Sequence, residues 1–318
     1  MLLGLWPLPA YNSLVKQEEI DRIRTAHGLQ SSIARRLKVG FTNEIYQLDD
    51  EYILKICSAG NEMPFRNEVR LYDYFHSKLP VPRLLTYDDS WSLVPRHYMI
   101  YERIGGENLY NVWHKLSDEQ RRQIVKQLCK YLRIINGTNI SDLPKDVEIP
   151  PVSKWREVIL GQIDSYLKSA QIMGTLTKED ISGVRQYSER HAGNLDEQVI
   201  TLVFWDVHFD NILVKHDKIV GLLDLERTEL ASIDFVLDTV KRMVDFPKKY
   251  ASEYAEQFVK GEDYARLLDW YKEFYPELFK FRNLERRLDL YALAHDLKDL
   301  EGWPNVQELK DNIRAICL

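Results

Sequence analysis

A chain of 318 residues with 45% hydrophobic content is long enough to bury a sizeable core and too apolar for a disordered one. Its formal charge of −6 and pI near 5.8 argue against a general nucleic-acid binder, which needs Lys and Arg surfaces for the phosphate backbone. Cys57, Cys129 and Cys317 are odd in number and lie outside any metal-ligand spacing, so a reduced, cytoplasmic setting is expected.

The start, Met1 to Pro9, is apolar but short, broken by prolines and without a basic leader. No later stretch reaches membrane-spanning length without charge, so a soluble protein with no membrane partner is expected. Glu18 to His27 has helical spacing, with Ile20 and Ile23 on one side. Leu37 to Tyr46 then reads as strand, glycine turn and strand. Gly40 permits close backbone approach, so N–H groups there could cap phosphates, although a single glycine in a hairpin is a weak signal.

Tyr52 to Ile56 is a strand with one Lys in an apolar run, where an unpaired charge is costly. Lys55 is therefore a candidate for the α- and β-phosphates of a nucleotide, against the alternative of an edge Lys in water. A helix opening at Pro64 puts Val69, Tyr72 and Phe75 on its apolar face, and its Glu68 is the expected partner of Lys55, with Glu62 as fallback. Tyr98 to Gly106 reads as a strand ending in paired glycines, an extended segment that can offer backbone groups to an adenine edge.

Asn108 to Asn136 is helical, Pro144 to Pro151 a linker, and Trp155 to Leu167 and Lys178 to His191 two more helices, the latter with Thr177 as N-cap. After Asp238 the chain is expected to be helical to its end. The aromatics of Asp263 to Tyr275 are expected in the core, while the acids among them could line a cleft.

The most informative stretch is Phe204-Trp205-Asp206-Val207-His208-Phe209-Asp210-Asn211 with the two apolar runs that follow, Ile212 to Val214 and Ile219 to Leu223. They predict a β-hairpin whose ends bring Asn211 and Asp224 together. A carboxamide and a carboxylate suit Mg²⁺, which takes few protein oxygens and completes its shell with phosphates and water. Asp206 stands five residues before Asn211, where it could accept a proton from an attacking hydroxyl. The spacing points to phosphoryl transfer, against an ordinary hairpin with solvated acids.

At these residues the chain resembles the aminoglycoside phosphotransferase and choline kinase superfamily. The resemblance implies a two-lobed, protein-kinase-like α+β fold. Residues 1–104 would form a nucleotide-binding lobe and hinge with a small antiparallel sheet, and residues 105–318 a mostly helical catalytic and substrate lobe with a helical insert at about 150–198. It implies that Asp206 is the catalytic base, His208 a loop support, Asn211 and Asp224 the metal ligands, and Glu226 a substrate-side acid. Gly40 and Asn43 match the family's phosphate-loop pattern, and the adenine contacts fall at Tyr101 and Arg103 with Ile100 behind the base.

The function so implied is transfer of phosphate from ATP (or GTP), with Mg²⁺, to a hydroxyl of a small molecule that is aminoglycoside-, choline- or sugar-like. Glu226, Glu229 and Asp234, with the acids of the Asp263 to Glu273 stretch, suggest a cationic acceptor. Phe204 stands where the family usually has His, and supports the alternative of a non-catalytic nucleotide-binding pseudokinase. The absence of an activation-loop segment after Asp224 makes a peptide acceptor the less favoured one.

Overall fold

The computed structural model describes residues 15–37, 43–249 and 255–317. Its N-terminal part is one antiparallel five-stranded sheet in the order β1-β2-β3-β5-β4. The strands are β1 (Ala34–Leu37), β2 (Glu44–Leu48), β3 (Tyr52–Ile56), β4 (Leu84–Asp88) and β5 (Tyr98–Glu102). Strand periodicity sends alternate side chains to opposite faces. Leu54, Ile56 and Ile100 face α1 (Gln17–Ala26), where they bury Ile20 and Ile23. Ile53, Met99 and Tyr101 face α2 (Glu62–Phe75) and pack with Phe65, Val69 and Tyr72.

Helix α2 begins at Glu62, two residues before the expected Pro64. Pro64 sits in the first turn, where its missing N–H has no intrahelical partner to lose. The single helix expected over 108–136 is two. After β6 (Glu107–Asn108), α3 (Leu109–Trp113) is separated from α4 (Asp118–Asn136) by Ser117, whose hydroxyl accepts from Gln120 N–H in a capping box. Thr177 caps its helix in the same way, as its position suggested.

Helices α5 (Trp155–Met173) and α6 (Lys178–His191) pack against α9 (Leu284–Gly302), and α10 (Gln307–Cys317) closes over α6 and α9. Strand β7 (Ile200–Phe204) pairs with β10 (Thr228–Ser232), and between them runs the hairpin of β8 (Ile212–Lys215) and β9 (Lys218–Leu222). The chain beyond Asp238 is not continuous helix. Short 3₁₀ turns, among them Gly261–Asp263 and Pro276–Phe279, separate α7 (Val236–Asp245), α8 (Leu267–Phe274) and α9.

Two features fix the hairpin. A Cβ on Gly106 would come within 2.8 Å of Val220 Cγ2, so only glycine lets the segment after β5 run against β9. Beneath the hairpin's entry, Phe209 packs on Trp113, ring centres 4.4 Å apart, with Tyr110 and Tyr264 around them. Trp270 and Tyr271 of α8 are fully buried, which agrees with the expectation that this aromatic stripe is core. Among the described residues no helix is long and apolar enough to cross a membrane.

Candidate functional site

The site is built where β3, α2 and the turn after β9 converge. Lys55 and Met99 are paired across β3 and β5, so the Lys side chain leaves the sheet on the α2 face. There its Nζ meets Glu68 Oε2 at 2.6 Å and Asp224 Oδ1 at 2.8 Å, with Glu226 Oε2 at 3.9 Å. The three carboxylates bring oxygens within 4.8 Å of one another, and the ammonium neutralises part of their charge. Tyr72, one helical turn after Glu68, ties the group together: its hydroxyl donates to Glu68 Oε1 at 2.7 Å and accepts from the Asp224 N–H at 2.8 Å.

Burial alone would discharge Lys55, but Asp224, Glu68 and Glu226 outweigh it and hold its pKa well above the ordinary value. Burial pushes the Glu68 carboxyl up to about 8 against the pull of Lys55. Asp224 is also desolvated, yet Lys55 keeps it below the usual carboxylate range. Asp224 is the residue best prepared for a cation: it is ionised, its side chain is 36% exposed, and it holds a left-handed backbone conformation (φ 59°). An Asp tolerates that conformation better than most residues, and the turn uses it to aim the carboxylate.

On the other side lies the loop between β7 and β8. Asn211 donates through Nδ2 to the Asp206 carbonyl at 2.9 Å and lies 3.4 Å from Asp206 Oδ2, while His208 Nε2 is 3.4 Å from Asp206 Oδ1. His208 thus borders Asp206, in keeping with a loop-supporting part. The amide nitrogen of Asn211 is committed to the loop, which leaves Oδ1 as its atom for a metal. The backbone of Asn211 is joined to the residue before Asp224, since Leu223 N–H donates to the Asn211 carbonyl at 2.8 Å. Hard oxygens from an ionised Asp and a neighbouring Asn are a donor set that fits Mg²⁺.

Several expected residues stand elsewhere. Gly40 lies outside the described residues. Ile100 is on the α1 face of the sheet, opposite Lys55, and Tyr101 is the strand residue that shares the Lys55 face. The Arg103 N–H is already engaged, donating to the Glu51 carbonyl at 2.7 Å, and is not open to a base.

Glu226 is held in a buried network. It accepts from Asn43 Nδ2 at 3.0 Å and Asn61 Nδ2 at 3.1 Å, and burial, reinforced by Asp224, raises its pKa. The short 3₁₀ turn Leu225–Arg227 follows Asp224 directly and turns the chain there. Asp234 is wholly buried and bound by Arg287, with Nε to Oδ2 at 2.8 Å and Nη2 to Oδ1 at 2.9 Å. Glu229 accepts from the Trp205 side chain, and burial raises its pKa. Asp263 and Glu273 are paired with Arg121 and Arg122.

Sequence reading missed Asn61 and Tyr72. Asn61 has no signal beyond its place before α2, but Tyr72 stands four residues after Glu68 on a helix, which was legible.

A small antiparallel sheet with its Lys–Glu pair over a mostly helical part that carries an Asp-x-x-x-x-Asn loop is the kinase-like fold. The profile of the phosphotransferase enzyme family matches residues 33–274, and the chain belongs to that family. No curated protein matches it by sequence. Similar solved structures include aminoglycoside phosphotransferase APH(2'')-Ib bound to ADP, at 17% identity and TM-score 0.67 over 95% of this chain and 97% of that one. APH(2'')-IIa in complex with gentamicin is 16% identical, TM-score 0.68, over 95% and 96%. A thermostable mutant of APH(4)-Ia with ADP and hygromycin B is 15% identical, TM-score 0.67, over 95% and 98%. At these identities the likeness is one of fold.

Proposed function

We propose that the protein is an ATP- (or GTP-) and Mg²⁺-dependent phosphotransferase acting on a hydroxyl of a small molecule, with residues 1–104 as its nucleotide lobe and hinge. The observation that carries this reading is Lys55 held between Glu68 and Asp224 within 2.8 Å, beside a loop whose Asn211 is hydrogen-bonded to Asp206. Neighbours that bind ADP or GDP support a nucleotide as donor.

In this reading Lys55 steadies the α- and β-phosphates, Glu68 and Tyr72 fix its position, and Asp206 orients the acceptor hydroxyl and takes its proton. Asp224 and Asn211 would hold Mg²⁺, which would supply charge neutralisation at the phosphates. Asn43 and Asn61 act indirectly, by holding Glu226 under the phosphate end. Incubation with Mg·ATP and a panel of hydroxyl-bearing amines, acids and sugars, read by mass spectrometry, tests it. A phosphorylated acceptor is expected. Tight Mg·ATP binding with no product from any class would favour the nucleotide-binding alternative that Phe204 suggests.

A further inference from the structure

Beyond Asp206 the site continues onto α9, and the charges there differ from those that a cationic acceptor needs. Trp205 directly precedes Asp206, and its ring is flanked by two α9 residues at helical spacing, His295 and Lys298. Lys298 Nζ lies 5.9 Å from the Trp205 ring centre, and the His295 ring meets Trp205 edge-on at 6.4 Å. Arg227, Glu229 and Asp206 are all near enough to Lys298 to act on its charge.

The acids around this group already have partners. Asp238 Oδ2 is 2.8 Å from His295 Nδ1, and Asp299 is 3.1 Å from Lys249 Nζ and 3.7 Å from Arg242. Glu229 is taken by Trp205. Lys298, half-buried, makes no direct ion pair among the described residues and lies over the Trp205 ring. Burial, with Arg227 adding to it, pulls its pKa below the usual Lys value, although Asp299, Glu229 and Asp206 act the other way. A half-buried ammonium with no carboxylate at ion-pair distance among the described residues, beside the residue that takes the acceptor's proton, is placed to receive an anion.

We propose that Lys298 is a specificity-determining residue that receives an anionic group of the acceptor, a carboxylate or a phosphate ester, against Trp205 and beside Asp206. This rests on the phosphotransferase reading and deepens it: the acceptor is a hydroxylated acid or phosphate ester, and an amine-bearing acceptor is disfavoured by Lys298 and Arg227. Glu226 and Asp234, which would have drawn a cation, are turned into other networks.

The test uses the full chain saturated with Mg·AMP-PNP, so that phosphate-binding groups around Lys55 are occupied. Malonate and inorganic phosphate are titrated by calorimetry into wild type, Lys298→Met and Lys298→Arg. Saturable binding of at least one anion is expected, weakened roughly tenfold or more in Lys298→Met and largely restored in Lys298→Arg. Failure of both anions to bind, or equal affinity in wild type and Lys298→Met, overturns the proposal. The Mg·AMP-PNP titration itself reads the nucleotide site, so the parent reading can fail separately.

A matched turnover series separates the sources. Gluconate, a hexose monophosphate, glucose and glucosamine share a skeleton and differ in charge. Preference for gluconate points to a carboxylate and preference for the monophosphate to a phosphate ester, while preference for glucosamine overturns the assignment.

Discussion

Lys55 and Asp224, 169 positions apart, meet with Nζ 2.8 Å from Oδ1. This contact joins the N-terminal sheet to the turn after the hairpin. It makes the charge state of the Asp224 carboxylate depend on a residue of another element. Asp224 stays ionised because Lys55 outweighs the cost of its desolvation.

Replacement of Asp224 by Asn removes the only charged member of the proposed metal pair. Mg²⁺-dependent ATP affinity is expected to fall roughly 10- to 100-fold, the scale of one charge-assisted contact. Asn211→Ala should cost less, because it removes a neutral donor. Calorimetry with and without Mg²⁺ reads both, and a wild type that binds ATP equally in the two conditions rejects the metal assignment.

Lys55→Met leaves Glu68, Asp224 and Glu226 facing one another without the ammonium. Removing one partner of a buried ion pair typically costs about 3–5 kcal/mol, since the remaining charge has no compensation. Urea unfolding should show a loss of this order, partly recovered in Lys55→Met combined with Asp224→Asn. No recovery would mean that Asp224 is not the group that Lys55 neutralises.

Asp234 is predicted to be structural. Arg287 and Tyr291 hold it in a fully buried network, with the Tyr291 hydroxyl donating to Oδ2 at 2.9 Å. Asp234→Asn should lower stability by about 3 kcal/mol or more, with the acceptor KM of the surviving folded enzyme near that of wild type. A raised KM at unchanged stability would return Asp234 to the substrate site.

The sequence made the placement of the loop between β7 and β8 more legible than the destinations of the acids. Asp206, Asn211 and Asp224 could be read because a hairpin ties residue type to topology within one short stretch. Lys55 and Glu68 could be read because a Lys in an apolar strand requires a partner and the next helix offers one. Asp234 was misread because its partner, Arg287, is 53 positions away, and such pairing leaves no local pattern. Ile100 lies on the face opposite Lys55, and one residue along a strand is the difference between the two faces. The Lys298 and Trp205 contact was invisible for the same reason as Arg287: only packing brings α9 beside the end of β7.

Acid stability tests the packing of α10. Arg314 holds Asp180 in a two-pronged pair, Nε to Oδ1 at 2.8 Å and Nη2 to Oδ2 at 2.9 Å, which lowers the Asp180 pKa to about 2. The folded pKa lies below the ordinary 3.8, so this stabilisation is complete above that value and is lost as pH falls toward 2. Arg314→Met should therefore lower Tm at pH 7, and the gap to wild type should narrow below pH 4. A gap independent of pH would assign the loss to packing alone.

The central claim, that Asp206 serves phosphoryl transfer, is tested most directly by acceptor-stimulated ADP formation from Mg·ATP in wild type and Asp206→Ala across acidic, neutral and amine-bearing hydroxyl compounds. The account predicts stimulation in wild type, a fall of ~10²–10⁴ in the variant, and similar Mg·ATP affinity in both. Equal acceptor-stimulated rates in wild type and Asp206→Ala would contradict it.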